Sequence, residues 1–225
     1  MSHKDDVLKL SVLGLHNAGK SSIIMSLKNE FDTFAELQPT KGVDRQIFEI
    51  FGQTLVFWDY GGQEHYRKEY VAYENKYFSN IQHLFYIVDI QDSGVLEESM
   101  EYFIRCVNLA KKRNPDVNTH ILFHKWDPPI SKNLDYEEFE KNKQKFLDKT
   151  LMHVPIDKPA FIFETSIYEP LSVVKAISKP LFQAKDLHEK TSMLIRSFCE
   201  KNGYDFAFVK TKQMFELGNY VSPEL

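Results

Sequence analysis

Apolar positions follow two rhythms along the chain, and each change of rhythm marks an element. Val7-Leu8-Lys9-Leu10-Ser11-Val12-Leu13 predicts a first strand over 7–13. Ile23, Ile24 and Leu27 then fall at helical spacing and predict a helix over 20–29. After a long polar connection, Val43, Ile47 and Ile50 stand among polar neighbours, Gly52-Gln53 punctuates, and 54–57 is again β-rich, which predicts an antiparallel hairpin. Leu84-Phe85-Tyr86-Ile87-Val88 is apolar without interruption and suits a central strand within 83–90, covered on both faces. Met100, Phe103, Val107 and Leu109-Ala110 predict a helix over 95–112, ended by Asn114-Pro115.

The pattern repeats through the second half. Residues 119–123 form another buried strand, and Tyr136, Phe139, Phe146 and Thr150 stripe a helix over 135–152, with Asn133 or Asp135 as its cap. A sixth strand covers 160–163, and a helix from Ser172 carries Val173-Val174 and Ile177 until Pro180 bends or ends it. Within 65–80, Tyr70, Tyr73 and Tyr77 suit one helical face, and both a core stripe and a partner surface fit that spacing. The last segment predicts a helix over 186–202 and β-rich runs at 204–209 and 213–221, too little to be stable alone.

The first strand-to-helix junction carries the chemistry. Gly14-Leu15-His16-Asn17-Ala18-Gly19-Lys20-Ser21 fits G-x-x-x-x-G-K-[ST] in the strand–loop–helix context that motif requires. Glycines let backbone N–H groups approach a phosphate chain, and the helix behind adds its positive end. Gly14, Asn17, Ala18, Gly19, Lys20, Ser21 and Ser22 are therefore phosphate-site candidates. Lys20 supplies a compact cation to the terminal phosphates, and the Ser21 hydroxyl suits Mg²⁺. A glycine-rich turn with an incidental lysine is the bland alternative.

Two further loops meet this one. Thr40, in the connection 30–41, could complete the Mg²⁺ shell with its hydroxyl and meet a γ-phosphate with its N–H. The hairpin then delivers Trp58-Asp59-Tyr60-Gly61-Gly62-Gln63. Asp59 ends an apolar strand as a metal-reaching carboxylate must, Gly62 offers an N–H at D-x-x-G spacing, and Gln63 could orient an attacking water. Each residue alone reads as an ordinary turn, but Thr40 lies nineteen positions before Asp59, so one hairpin joins both loops to the phosphate loop.

The strand at 119–123 delivers His124-Lys125-Trp126-Asp127. A carboxylate at a strand's C-terminal end can accept from guanine N1–H and the 2-amino group, a donor pair adenine lacks. Lys125 could lay its stem along the base. Ser166 and Ile167, after the sixth strand, could bring a backbone N–H to the base carbonyl.

Composition removes other classes. The 225 residues are 43% hydrophobic and 27% charged, with a net charge of −4 that argues against nucleic acid. No apolar run approaches the ~18 residues of a membrane span, and Met1–Asp6 is polar and acidic rather than a leader. Cys106 and Cys199 each sit in an apolar helical context, as buried thiols of a reducing compartment do. No histidine pair has metal-ligand spacing.

The motifs resemble the small GTPase superfamily. The phosphate loop, Pro39-Thr40 and the Trp58–Gln63 block look like the Arf family; His124-Lys125-Trp126-Asp127 and Thr165-Ser166-Ile167-Tyr168 look like the Rag (Gtr) GTPases. The resemblance covers 7 to about 184. It implies an α/β P-loop NTPase fold of Ras-like, three-layer form: a six-stranded, mostly parallel sheet with helices on both faces, plus a C-terminal helix and β-hairpin. The expected division is a G domain at 1–184 and an extension at 185–225 that is similar in pattern to the start of a roadblock-type dimerisation domain. Ser2 follows Met1, so the myristoylation pattern of Arf proteins is missing, and a Rag-like protein with Arf-like switches is expected. It would bind GTP and GDP with Mg²⁺ held by Ser21, Thr40 and Asp59, hydrolyse GTP slowly through Lys20, Thr40 and Gln63, and be cytoplasmic, meeting membranes only through partners. Those partners would be effector, activating and exchange proteins, and a homo- or heterodimer through the extension. Its competitors are a GTP-binding scaffold with negligible hydrolysis, a P-loop ATPase or nucleotide kinase, and an assembly module led by the tail. No arginine stands in the motifs as a finger; Arg45 and Arg67 are the nearest in sequence. His16, where Ras-type loops have glycine, would crowd an incoming one.

Overall fold

The computed structural model describes residues 7–28, 38–50, 53–129, 134–154 and 160–181. The predicted elements at 186–202, 204–209 and 213–221, Cys199, and most of the connection 30–41 lie outside them. By compactness the chain divides into residues 1–176 and 177–225, and the first unit holds the sheet and everything discussed as a site.

Six strands form one sheet: β1 (Leu8–Gly14), β2 (Val43–Ile50), β3 (Gln53–Tyr60), β4 (His83–Asp89), β5 (Asn118–His124) and β6 (Phe161–Thr165). Their spatial order is β2-β3-β1-β4-β5-β6. Only the β2–β3 hairpin is antiparallel; β1 pairs parallel to both β3 and β4, and β5 lies parallel between β4 and β6. Connections leave β1 toward one edge and return from β3 toward the other, so the strand order reverses at β1. In such sheets a ligand crevice opens beyond the C-terminal ends of the strands at that point.

Alternation along the strands sorts side chains into two layers. Leu13, Tyr60, Leu84, Tyr86, Val88, Ile121 and Phe123 join the core that also holds Met100, Phe103 and Phe146 of α4 (Leu96–Arg113) and α5 (Tyr136–Thr150). Leu10, Val12, Phe57, Phe85, Ile87 and Leu122, equally buried, face the opposite way, and α1 (Lys20–Lys28) packs on β1 and β3 with Ile23 and Ile24 buried. α4 carries Glu97 and Glu98 in its first turn and Lys111, Lys112 and Arg113 in its last, matching its dipole at both ends. Asp135 caps α5, accepting from the Glu138 N–H at 2.9 Å; Asn133, the other predicted cap, lies outside the described residues.

Two elements depart from the sequence pattern. The predicted single aromatic helix face is split into α2 (Glu64–Ala72) and α3 (Glu74–Phe78), broken at Tyr73, whose ψ of 48° leaves the helical region. Tyr70 and Tyr77 enter the core with ring centroids 4.8 Å apart, while Tyr73 is 63% exposed. Their phenols are satisfied: Tyr70 donates to the Gly42 carbonyl at 2.6 Å and Tyr77 to the Glu69 carboxylate at 2.5 Å, while the neighbouring Tyr60 donates to the Tyr77 carbonyl at 2.6 Å. The last helix, α6 (Pro170–Leu181), begins two residues before Ser172 and keeps Pro180 inside its final turn. Pro170 fits a first helical position, where no N–H is missed.

Candidate functional site

β1 ends at Gly14 and α1 starts at Lys20, so the loop 15–19 forms at the reversal point of the sheet. Gly19 has φ +88°, and a Cβ there would meet the His124 ring, 2.7 Å from Nε2. Only glycine meets both demands. Asn17 also takes a left-handed φ of 62°, which asparagine tolerates better than most residues. The Lys20 ammonium is buried and donates back across the loop to the Leu15 carbonyl at 2.6 Å. Burial pushes its pKa down to about 8, against the pull of Asp59.

Parallel pairing of Val12 with Asp59 sets the carboxylate beside the loop, at the strand end where it was expected. Ser21 Oγ lies 2.5 Å from Asp59 Oδ2 and 3.1 Å from Thr40 Oγ1; Thr40 Oγ1 donates to Asp59 Oδ2 at 3.2 Å. Asp59 is 2% exposed, and its Oδ1 has no hydrogen-bond partner among the described residues. Burial raises its pKa, with the Ser21 hydroxyl and Lys20 pulling the other way. Three hard oxygen donors this close together fit Mg²⁺, whose octahedral ligands at ~2.1 Å stand ~3 Å from one another. An orphaned, buried carboxylate oxygen is the kind of group such an ion satisfies.

A pocket of about 240 Å³ gathers the predicted Asn17, Gly19, Lys20, Ser21 and Ser22 on one side and Thr40 and Gly62 on the other, with His16, Gln38 and Pro39 completing its lining; Gly14 and Gln63 are not part of that lining. Ala18 is buried beneath the loop. Gly62 packs its Cα against the Leu15–His16 backbone so closely that any Cβ would strike it. The two switch strands are tied by the Gly61 N–H donating to the Gly42 carbonyl at 2.8 Å. Gln63 precedes α2 with extended backbone, half-buried, and caps nothing with its side chain.

The base motif comes to the same edge through β5. His124 is 2% exposed, with Nδ1 3.0 Å from Thr165 Oγ1 and its ring edge under Gly19, so it props the phosphate loop. Burial depresses its pKa to about 4, and the imidazole is neutral at pH 7. Lys125 sits at φ 63° and pairs with Asp89. Asp127 accepts from the Ser166 hydroxyl at Oδ1 (2.7 Å). The Ser166 N–H itself donates to Ser172 Oγ at 3.0 Å and is engaged within the turn.

Sequence comparison gives this geometry a family. The model of the Gtr1/RagA G protein conserved region matches residues 9–212. The chain belongs to the Gtr1/RagA G-protein family. It is 32% identical over 124 residues to the GTP-binding protein GTR1 of Saccharomyces cerevisiae, a match covering 53% of this chain and 39% of that one. It is 35% identical over 99 residues to ADP-ribosylation factor-like protein 3 of Chlamydomonas reinhardtii, covering 44% and 52%. These matches span about half or less of each relative's length. Among solved structures, the Arl6 BBS3 small GTPase of Trypanosoma brucei with bound GppNp superposes with TM-score 0.56 at 20% identity, covering 84% of this chain and 99% of that one. At that identity the likeness shows the fold, which is the P-loop small-GTPase fold predicted from the motifs.

Three residues complete the site of this Gtr1/RagA-family chain without having been singled out by motif. Asp89 ends β4 and holds Lys125. Gln91 follows and reaches the loop 125–127. Tyr136, at the start of α5, donates its hydroxyl to the Asp127 carbonyl. Their only sequence signal is position, at the C-terminal end of a predicted strand or the opening of a helix. Thr165, which opens the motif after β6, hydrogen-bonds to His124. Neither flanking arginine lines the pocket: Arg67 donates Nε to the Gly62 carbonyl at 3.0 Å and pairs with Glu98, and Arg45 stacks 4.0 Å from the Trp58 ring centroid.

Proposed function

We propose that this chain is a guanine-nucleotide-dependent switch that binds GTP and GDP with Mg²⁺ and hydrolyses GTP slowly. The observation that carries the reading is the convergence of Ser21, Thr40 and Asp59 within about 3 Å of one another beside the buried Lys20 ammonium. Ser21, Thr40 and Asp59 would hold the ion. Mg²⁺, when bound, neutralises charge on the β- and γ-phosphate oxygens.

The chain's own groups do the rest. Lys20 offers a cation already aimed across the loop, and the loop N–H groups of Asn17 to Ser22 cradle the phosphates. Thr40 and Gly62 bring N–H groups from the two switch segments to the γ-phosphate, which orders them. Gln63 orients the attacking water. With Arg45 and Arg67 both engaged elsewhere, turnover without an activator is on the order of 10⁻⁴ to 10⁻³ s⁻¹. Asp127, with His124 and Lys125 behind it and Ser166 and Ile167 opposite, selects guanine.

In this reading 1–184 is the G domain and 185–225 an extension that offers a homo- or heterodimer contact. Effector, activating and exchange proteins read the switch segments. In the same reading the chain meets membranes through partners; among the described residues no helix is long and apolar enough to cross a membrane.

The test is competition binding of GDP, GTP and ATP with Mg²⁺, wild type beside Asp127→Asn. Wild type should prefer guanine by at least 100-fold, as a site built to hydrogen-bond donors that the wrong base lacks does, and Asp127→Asn should erase most of that preference. Equal affinity for ATP and GTP would exclude the guanine reading.

A further inference from the structure

We propose that Gln91, at the exit of β4, is a positioning residue that sets base selectivity by aiming the carboxylate of Asp127. The inference rests on the assignment of Asp127 as the guanine reader.

A carboxamide nitrogen has two N–H donors. Gln91 Nε2 uses one on the Lys125 carbonyl at 2.6 Å and the other on Asp127 Oδ2 at 2.9 Å. Both partners are acceptors, which fixes the amide's orientation. Asp127 Oδ1 accepts from Ser166 Oγ at 2.7 Å, so the two carboxylate oxygens are held from opposite sides by side chains of two different strand ends. That fixes the plane of the carboxylate. Each oxygen keeps a further lone pair for a base donor.

Gln91 is itself held. Its backbone N–H donates to Asp89 Oδ1 at 3.1 Å, Asp89 pairs with Lys125, and the Ile90 N–H donates to the His124 carbonyl at 3.1 Å. Lys125 has a left-handed φ of 63°, a conformation lysine does not favour. The bond from Gln91 to the Lys125 carbonyl supports that turn at the peptide where it departs from the strand. Gln91 thereby couples β4 to both the backbone and the reading group of the base loop. Among the described residues, its side-chain hydrogen bonds go to Lys125 and Asp127 and to no residue lining the phosphate pocket.

The discriminating pair of ligands is GDP and inosine diphosphate, which lacks only the 2-amino donor. A misaimed Asp127 loses the two-donor contact of guanine more than the one-donor contact of hypoxanthine. Dissociation constants for GDP and inosine diphosphate are measured with Mg²⁺ on wild type, Gln91→Leu, Gln91→Glu and Asp127→Asn, with melting temperatures alongside. Gln91→Leu keeps an uncharged side chain of moderate size and loses the donor; it should lower the GDP-over-inosine-diphosphate preference about fivefold. Gln91→Glu sets a like charge against Asp127 and should lower it further. A preference unchanged in both variants overturns the proposal, whether the two ligands bind as before or weaken in parallel with stability. Should Gln91→Leu fail to fold, the preference measured on Gln91→Glu decides alone. If Asp127→Asn itself leaves the preference intact, the guanine-reader assignment fails, and the proposal with it.

Discussion

At the scale of single residues, the site is built from conformations that few side chains accept. Asn17 holds φ 62° in the middle of the phosphate loop, between positions that only glycine fills comfortably. A β-branched residue there would be strained, costing about 1–3 kcal/mol. Asn17→Val should therefore lower unfolding free energy by that amount in urea denaturation, while Asn17→Gly stays within about 1 kcal/mol of wild type. Equal stability of the two variants would mean that the loop relaxes rather than stores strain. His124 shows the same economy of role: it stands where the resemblance led one to expect a nucleotide contact, and it also props Gly19 from beneath.

Between elements, α2 is fastened at both ends of its first turn. Gly62 rests on the phosphate loop, and Arg67 ties the Gly62 carbonyl to Glu98 of α4 while its guanidinium lies 5.1 Å from the Tyr102 ring centroid. Glu98 is half exposed, so the ion pair alone contributes little. Arg67→Ala removes three contacts of a mostly buried group and should cost about 1–2 kcal/mol; Glu98→Ala should cost under about 1 kcal/mol. Urea denaturation of both variants checks the order, and hydrogen exchange across 61–72 should rise in Arg67→Ala alone. Faster exchange in neither variant would remove the clasp.

The elements themselves were largely legible in the sequence, for a physical reason. Continuous apolar runs such as 84–88 and helical stripes such as that of α4 have few alternative structures. That the phosphate loop, Thr40, Asp59 and Gly62 meet around one pocket was legible because the motifs place them at the strand ends that this sheet brings together. The break at Tyr73 was not, because three tyrosines at helical spacing satisfy a helix until tertiary packing takes two of them and leaves the third outside. Asp89, Gln91 and Arg67 were illegible because they act through neighbours more than thirty residues away in sequence, which no local pattern records.

For the whole molecule, buried histidines give the fold a pH signature. His83 and His120 stack between β4 and β5 with Nδ1 and Nε2 3.0 Å apart, and His124 lies at the end of β5. Burial holds all three below the ordinary value of 6.5, His83 and His124 at about 4. The unfolded chain therefore binds more protons between about pH 6.5 and 4, and stability falls as pH is lowered through that window. Asp59, raised by burial, opposes the trend with one group against three. Urea midpoints at pH 7, 6 and 5 should fall in that order; a flat profile would contradict the burial of neutral imidazoles.

In the proposed function, Lys20, Ser21, Thr40 and Asp59 hold the phosphates and the ion, and Gln63, next in the chain to the pocket-lining Gly62, orients the attacking water. Single-turnover cleavage of GTP with Mg²⁺, wild type beside Gln63→Leu, probes that assignment without any partner protein. Wild type should release phosphate slowly but measurably, on the order of 10⁻⁴ to 10⁻³ s⁻¹, and Gln63→Leu should react at least tenfold more slowly with GTP still bound. Identical rates in the two proteins, or bound GTP that wild type never cleaves, would contradict it and leave a nucleotide-holding scaffold in its place.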